Sequence, residues 1–183
     1  MIGSSHLDRR SMLRLAALAA IAPWARWTAA DGGPESEPRA LGFRNLHTGE
    51  TVDVVYRADG QLDHGALREI DWVLRDFRTG EARRIDQRLL DLLWRLRVAL
   101  DTTEPYEVIS GYRSPATNAM LRRQSRAVSR VSLHMQAMAI DVRVPDRPLA
   151  ALRDAALALR LGGVGYYAAS DFVHVDVGRV RIW

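Results

Sequence analysis

Two short segments near the end of the chain combine apolar residues with residues of the types that bind metals. The segment SLHMQAMAID contains His134 and Asp141. The segment DFVHVDVG contains His174 between Asp171 and Asp176. Two histidines and one carboxylate form a common catalytic zinc set, which leaves a fourth position for water. The sequence contains no cysteine, so any metal would be held by such groups alone.

Alternation along these segments places the polar residues opposite the core, because side chains at alternate positions of a strand share a face. In FVHVDV, His174 and Asp176 point away from the three valines. In MAIDVRV, Asp141 and Arg143 point away from the aliphatic residues. Two strands thus each present a metal-binding residue type from the face opposite the core. Alternatively, the two histidines are structural residues whose rings are only hydrogen-bonded.

Hydrolysis at a metal also needs a group that accepts a proton from water. Asp171 lies three residues before His174, and Asp176 lies two residues after it. Either carboxylate could accept that proton, and either could instead orient the imidazole ring of a ligand. The residues alone leave both roles open for both aspartates.

Composition excludes several classes of protein. All 26 basic residues are arginine, and the formal net charge is +4. Residues 1–30 hold four arginines and one aspartate, so the rest of the chain carries a net charge of +1. That balance does not predict a nucleic-acid-binding surface. The absence of cysteine excludes disulfides, thiolate zinc sites and cysteine nucleophiles.

The first 30 residues have the layout of an export signal. The charged stretch DRRSMLR precedes the apolar run LAALAAIAPW and a small-residue end near Ala30. The adjacent Arg9 and Arg10 resemble the twin-arginine signal, and the apolar run is too short to span a bilayer comfortably. We therefore predict a signal at 1–30, a flexible leader at 31–38 and delivery to the periplasm by the twin-arginine export machinery. A surface amphipathic helix is the alternative.

The remaining pattern predicts one α+β domain over residues 39–183, a length that allows a real core. Apolar residues recur at helical spacing over 65–78 and 86–100, and PYEVIS, MAIDVRVP and FVHVDVG are strand-like. Helices come first and short strands follow, which favours a small antiparallel sheet flanked by helices. The glycine-rich GGVGYY at 162–167 is interpreted as a tight turn into a strand.

Four motifs occur along the chain in the order SGYRS, S-x-H-x6-D, GGVGYY and FVHVD. Together they resemble the zinc metallopeptidases that include D-alanyl-D-alanine carboxypeptidases, phage endolysin peptidases and murein endopeptidases. The nearest branch is that of the periplasmic murein endopeptidases with a twin-arginine signal, which NLHTGE and the terminal Trp183 also fit. The resemblance covers roughly residues 38–183 and implies the hedgehog/D-Ala-D-Ala peptidase-like fold.

The resemblance implies a role for each residue at a matching position. The implied zinc ligands are His134, Asp141 and His174. Arg113 of SGYRS would bind a substrate carboxylate or stabilise the oxyanion. Asp171 matches an acid that related carboxypeptidases carry three residues before the last histidine, whereas the H-V-D pattern of Asp176 is typical of the nearer branch. The proton acceptor is therefore one of these two aspartates.

The implied activity is that of a zinc-dependent murein endopeptidase, which hydrolyses peptide cross-links of peptidoglycan through a metal-activated water. A D,D- or L,D-carboxypeptidase on the same substrate and a catalytically weak peptidoglycan-binding module are the alternatives, and a monomer is expected. The chain departs from the family pattern at Ala137, where glycine is usual. If the backbone there needs a positive φ, alanine costs about 1 kcal/mol.

Overall fold

The computed structural model describes residues 37–125 and 128–183, and these residues form one compact unit. The predicted signal and nearly all of the leader lie outside the described residues, so the domain boundaries stay predictions. None of the described helices is long and apolar enough to cross a membrane. The helices are α1 His64–Val73, α2 Gln87–Ala99, α3 Pro115–Gln124 and α4 Leu149–Leu159. The strands are β1 Arg39–Asn45, β2 Thr51–Ala58, β3 Gln61–Leu62, β4 Tyr106–Ser110, β5 Ala139–Arg143, β6 Gly163–Tyr167, β7 Phe172–Asp176 and β8 Arg181–Ile182.

The described strands form one mixed sheet in the order β3-β2-β1-β4-β5-β7-β6-β8. The pairs β1–β4 and β6–β8 are parallel, and the other pairs are antiparallel. The α+β class is thus confirmed, although the sheet is larger than predicted and is not purely antiparallel. The β1–β2 hairpin reaches β4 through a crossover that contains α1 and α2, as a parallel pair requires. The strands at the predicted site, β4, β5, β7 and β6, are antiparallel throughout.

One face of the sheet packs against α1, α2 and α4 and forms the hydrophobic core. The leucines of α2 recur at helical spacing because that spacing keeps them on the side that faces the sheet. Four residues of β5 and β7 on this face have no exposed surface: Ile140, Val142, Val173 and Val175. Burial of each such side chain contributes about 1.5–3 kcal/mol. The predicted assignment of the two strand faces is confirmed.

The opposite face of the sheet is here termed the site face. Three rows of residues cross the central strands on this face. The middle row consists of Ser110, Asp141, His174 and Gly165. The row two residues further along β5 consists of Glu107, Arg143, Phe172 and Tyr167. The row on the other side consists of Ala139, Asp176, Gly163 and Arg181. Strand register alone therefore gathers three of the predicted site residues, Asp141, His174 and Asp176, on one surface.

Candidate metal centre

Three side chains meet in the middle of the site face with their metal-binding atoms toward one another; they are here termed the ligand triangle. His134 Nε2 lies 3.2 Å from His174 Nδ1 and 3.3 Å from Asp141 Oδ1. His174 Nδ1 lies 2.8 Å from the same oxygen, and all three residues are buried. Ligands about 2.0–2.1 Å from a tetrahedral zinc ion lie roughly 3.3 Å apart. The structure thus brings together the three residues that the resemblance implies as zinc ligands.

The remaining ring nitrogens fix the tautomer of both imidazoles. His134 Nδ1 donates to the carbonyl oxygen of Gly111 at 2.8 Å, and His174 Nε2 donates to Asp176 Oδ2 at 3.0 Å. With those protons in place, each neutral ring turns a lone pair toward Asp141 and toward the other ring. Three acceptors that face one another need a shared cation. Two imidazoles and a carboxylate are a donor set that suits zinc.

The two histidines of the ligand triangle keep its carboxylate ionised. Burial would raise the pKa of Asp141, but His134 and His174 hold that pKa well below its usual value. Burial would lower the pKa of His174, but Asp141 and Asp176 raise it above its usual value. A proton and a metal ion therefore compete for His174, since only the neutral ring binds a metal.

Strand register and one tight turn assemble the ligand triangle. Asp141 on β5 lies directly opposite His174 on β7. His134 belongs to a 3₁₀ helix, Leu133–Gln136, and Ala137 then leads the chain toward β5 with φ 55° and ψ 33°. Position 137 therefore does need a positive φ, and the methyl group of Ala137 is completely buried.

Asp176 is completely buried next to the ligand triangle. Its Oδ1 accepts from the backbone N–H groups of Gly163 and Gly178. Arg181 donates to both oxygens, at 3.1 and 2.7 Å. Burial would raise the pKa of Asp176, but hydrogen bonds from His174 and Arg181 hold it well below its usual value. Because both oxygens are already bonded, the geometry favours an orienting role for Asp176 over proton acceptance.

Asp171 lies just before β7 and is not part of the ligand triangle. Its side chain is 61% exposed, and its Oδ2 accepts from Arg143 Nη1 at 2.5 Å. The residue has a left-handed backbone, φ 53°, where a 3₁₀ helix, Ala168–Ser170, ends. The structure therefore pairs Asp171 with Arg143, and its role as proton acceptor stays a prediction.

Arg113 points at the ligand triangle from the turn before α3. Its Nη2 lies 3.7 Å from Asp141 Oδ2 and 3.3 Å from Ser110 Oγ, and its backbone N–H donates to the carbonyl oxygen of His134. Burial lowers the pKa of Arg113, and the charge of Asp141 opposes that shift. The buried Nε has no hydrogen-bond partner among the described residues. The guanidinium thus lies beside the ligand triangle through Nη2, the position that the resemblance implies for a group that binds a carbonyl or carboxylate oxygen.

The loop after α1 holds the turn GYRSP in place. The N–H of Tyr112 donates to the carbonyl oxygen of Leu74, and the N–H of Ser114 donates to Asp76 Oδ2 at 2.9 Å. A Cβ on Gly111 would lie 2.4 Å from the carbonyl oxygen of Leu74, which explains the glycine of SGYRS. Sequence reasoning missed Asp76, because an isolated aspartate in a loop shows no pattern that indicates its partners.

The end of the chain supplies two further residues that sequence reasoning did not place at the site. Arg181 binds the carboxylate that orients His174, and the Trp183 ring centroid lies 5.2 Å from that of His174. A Cβ on Gly165 would lie 2.7 Å from the Trp183 ring, and one on Gly163 would lie 2.6 Å from Arg181. The predicted turn at GGVGYY is confined to its start, because Gly162 lies in a bend that leads into a strand, whereas Gly163 and Gly165 lie in β6 beneath the two side chains. Alternation in RVRIW is the signal that could have revealed both residues.

Comparison with known proteins identifies the family. Residues 34–183 match the profile of the family described as Peptidoglycan L,D-endopeptidase MepK. The chain belongs to the MepK family. Membership makes it a metallopeptidase, and it confirms the resemblance to the zinc murein endopeptidases. It does not test the twin-arginine signal.

Two curated relatives represent the MepK family. The chain is 41% identical over 148 residues to the probable peptidoglycan L,D-endopeptidase MepK of Haemophilus influenzae. It is also 41% identical over 146 residues to the peptidoglycan L,D-endopeptidase MepK of Escherichia coli K12. Each alignment covers 80% of this chain and 80% of the relative. The family profile, which matches residues 34–183, spans all of the described residues.

Proposed function

We propose that this protein is a zinc-dependent peptidoglycan endopeptidase that hydrolyses peptide cross-links in the periplasm. The observation that carries the proposal is the ligand triangle, where three lone pairs converge beside the guanidinium of Arg113. The names of the relatives describe L,D-endopeptidases of peptidoglycan, which supports the same bond type here. The family findings do not favour a carboxypeptidase or a catalytically weak binding module.

Each part of the site has its own task in this proposal. The ligand triangle holds zinc, which when bound lowers the pKa of water to about 7 and polarises a carbonyl group. Asp176 and Arg181 hold the His174 ring so that Nδ1 faces the metal position. Arg113 binds the oxygen of the scissile carbonyl group or of a neighbouring carboxylate. Its hydrogen bonds strengthen as negative charge develops on that oxygen.

Matched substitutions assign the proton acceptor. Asp171→Asn keeps the shape of the side chain and removes the basic oxygen. If Asp171 accepts the proton, this variant should lose cleavage of every substrate while its zinc content stays unchanged. Asp176→Asn should instead lower the zinc content, because His174 would lose the carboxylate that orients its ring.

The proposal is tested on intact peptidoglycan sacculi, incubated with the purified protein and either zinc or a chelator. Mass spectrometry of the released muropeptides should show that cross-linked dimers disappear only with zinc. His134→Ala should abolish both cleavage and zinc binding, whereas the control His64→Ala, exposed at the start of α1, should retain both. Removal of only a terminal residue would show a carboxypeptidase instead. Sacculi that bind without change would show a binding module.

We also propose that residues 1–30 direct export through the twin-arginine machinery and that the exported protein acts as a monomer. Replacing Arg9 and Arg10 together by lysine should keep the protein in the cytoplasm, which cell fractionation measures. Normal export of that variant would contradict the signal. Light scattering of the purified protein tests the monomer.

A further inference from the structure

The side chain of Trp183 closes the middle row of the site face at its β6 end. Gly165, the last residue of that row, has no side chain, and the Trp183 ring fills the space above it. Two backbone hydrogen bonds fix Trp183 to β6, one to the carbonyl oxygen of Val164 and one from the N–H of Tyr166. The ring centroid lies 5.2 Å from that of His174. The indole therefore borders the ligand triangle on the side away from β4.

Tyr167 holds its hydroxyl group at this border. The indole Nε1–H of Trp183 donates to Tyr167 Oη at 2.7 Å. Because Nε1 lies above Gly165, the Tyr167 side chain, which starts one row away, brings its hydroxyl group back toward the middle row. The Tyr167 ring stacks on Phe172 with centroids 4.6 Å apart and planes at 20°. These two contacts fix the ring and the hydroxyl oxygen in place before any substrate binds.

The hydroxyl proton of Tyr167 is available to a ligand. An indole N–H can only donate, so Tyr167 Oη is the acceptor in its bond with Trp183. Within residues 37–125 and 128–183, no group accepts the Tyr167 proton in return. Tyr167 is 37% exposed, so a substrate that lies on the site face can reach the proton.

Arg113 and Tyr167 approach the ligand triangle from opposite sides. Arg113 lies on the β4 side, with Nη2 3.7 Å from Asp141 Oδ2, and the Tyr167 hydroxyl group lies on the β6 side. Burial lowers the pKa of Arg113, and negative charge on Asp141 or Tyr167 opposes that shift, so the phenol is within electrostatic reach of the guanidinium. A carbonyl group at the ligand triangle therefore has a cationic donor on one side and a neutral donor on the other.

A donor that is fixed before the substrate binds is suited to stabilise charge that develops during the reaction, because it needs no reorganisation at that moment. We propose that Tyr167 is a catalytic residue whose O–H donates to the oxygen of the scissile carbonyl group, and that Trp183 positions this hydroxyl group. Tyr167 touches the reacting group, whereas Trp183 acts through Tyr167. The inference rests on the proposed peptidase function, since it adds a second donor to the same reaction.

Tyr167→Phe tests the donor, because it keeps the ring that stacks on Phe172 and removes only the hydroxyl group. With purified cross-linked muropeptide dimers and saturating zinc, kcat should fall about 10–100-fold, the effect of losing one hydrogen bond to a charged oxygen. KM and zinc affinity should stay unchanged. The matched control is Tyr166→Phe, whose ring packs against Arg153, and it should cleave like the wild type.

Two other results for Tyr167→Phe would overturn the inference. A rise in KM with kcat unchanged would show that Tyr167 binds the substrate equally well before and during the reaction. A fall in zinc affinity, measured by competition titration with a chelating dye, would make Tyr167 a structural residue of the metal centre.

A phosphinate peptide tests the same contact without turnover. Its tetrahedral, negatively charged phosphorus centre replaces the scissile carbonyl group and resembles the transition state. Calorimetry should show that Tyr167→Phe lowers the affinity for this peptide by the same factor as kcat/KM, whereas Tyr166→Phe leaves the affinity unchanged. Equal affinities of the wild type and Tyr167→Phe would overturn the inference.

Trp183→Phe tests the positioning role. This variant keeps an aromatic ring beside His174 and removes the N–H that fixes Tyr167 Oη, so kcat should fall by a smaller factor than in Tyr167→Phe. The double variant should be no slower than Tyr167→Phe alone, because Trp183 acts through a hydroxyl group that is then absent. If the two losses multiplied, Trp183 would act independently and its positioning role would be overturned.

These experiments also separate the donor from the peptidase activity. If the wild type and Tyr167→Phe cleave the dimers equally well, the protein is a peptidase that does not use this donor. If the zinc-loaded wild type neither cleaves the dimers nor binds the phosphinate peptide, the proposed function itself is contradicted and the inference falls with it.

Discussion

Strands β5 and β7 bury one face against helices and the other face in the candidate metal centre. The helix face carries Ile140, Val142, Val173 and Val175, none of which has exposed surface or a polar side-chain atom. On the site face, Asp141, His174 and Asp176 are at most 9% exposed, and each has hydrogen-bond partners. At the candidate metal centre, the two faces of these strands are therefore almost equally buried but differ in what stabilises them.

The two faces differ in the kind of interaction that a substitution removes. On the helix face, stability comes from buried area and packed volume, which other aliphatic residues of similar size can supply. On the site face, each polar atom needs a particular partner, because an unsatisfied buried polar group costs about 1–3 kcal/mol. We therefore expect helix-face substitutions to change the free energy of unfolding and site-face substitutions to change metal binding.

The largest effect is expected for Ile140→Ala on the helix face. Loss of the buried side chain and the resulting cavity should lower the free energy of unfolding by about 2–5 kcal/mol, measured by urea denaturation without zinc. The zinc affinity of the folded protein should stay unchanged. Ile182→Ala, at a side chain that is 68% exposed, is the control and should change stability by less than about 0.5 kcal/mol. If Ile140→Ala also lowered zinc affinity, helix-face and site-face substitutions would not have separate effects on stability and metal binding.

Arg181→Gln tests the site face. Asp176 would lose two charge-assisted bonds, so the His174 ring should be held less firmly and zinc affinity should fall about 10–100-fold. Unfolding without zinc should change less, because Gly163 and Gly178 still donate to the carboxylate. Competition titration with a chelating dye measures the affinity. The exposed Arg179→Gln is the matched control, and an unchanged zinc affinity in Arg181→Gln would make Arg181 a purely structural residue.

Asp76→Asn tests whether a buried carboxylate outside the candidate metal centre also depends on its hydrogen-bond partners. Burial would raise the pKa of Asp76, but hydrogen bonds from Thr117 and Ser114 lower it below its usual value. The ionised carboxylate therefore stabilises the fold above its unfolded pKa of about 3.9. That contribution disappears as the pH falls through the lower folded pKa.

The variant should accordingly lose about 1–2 kcal/mol of unfolding free energy at pH 7. Its difference from the wild type should shrink below about pH 4. Denaturation at a series of pH values measures this difference. A gap that stayed constant with pH would show that the charge of Asp76 does not stabilise the fold.

The smallest effect is expected for Ala137→Gly, at the turn that connects the two parts of the ligand triangle. Glycine accepts φ 55° without strain, but it also makes the unfolded chain more flexible. The net gain in unfolding free energy should be at most about 1 kcal/mol. Zinc affinity should stay unchanged, because Ala137 already holds the turn. A large gain in zinc affinity would show that the methyl group distorts the site.

Much of the candidate site was predictable because side-chain direction along a strand is a local property. The alternation in FVHVD and MAIDV placed His174 and Asp141 opposite the core before any partner strand was known. Helical spacing identified the leucines of α2 for the same reason. His134 precedes β5 and has no alternation to mark it, but its position in the apolar segment SLHMQAMAID made it a candidate. Family resemblance then implied its role as a zinc ligand.

Contacts between distant segments could not be read from those local patterns. The pairing of Asp141 with His174 depends on the register of β5 against β7, and that register follows from packing of the whole sheet. The ion pair that turns Asp171 toward Arg143 and the placement of Arg181 over Gly163 depend on which strands become neighbours. Residue types and their spacing therefore predicted which groups could do chemistry, whereas long-range packing set which of them meet.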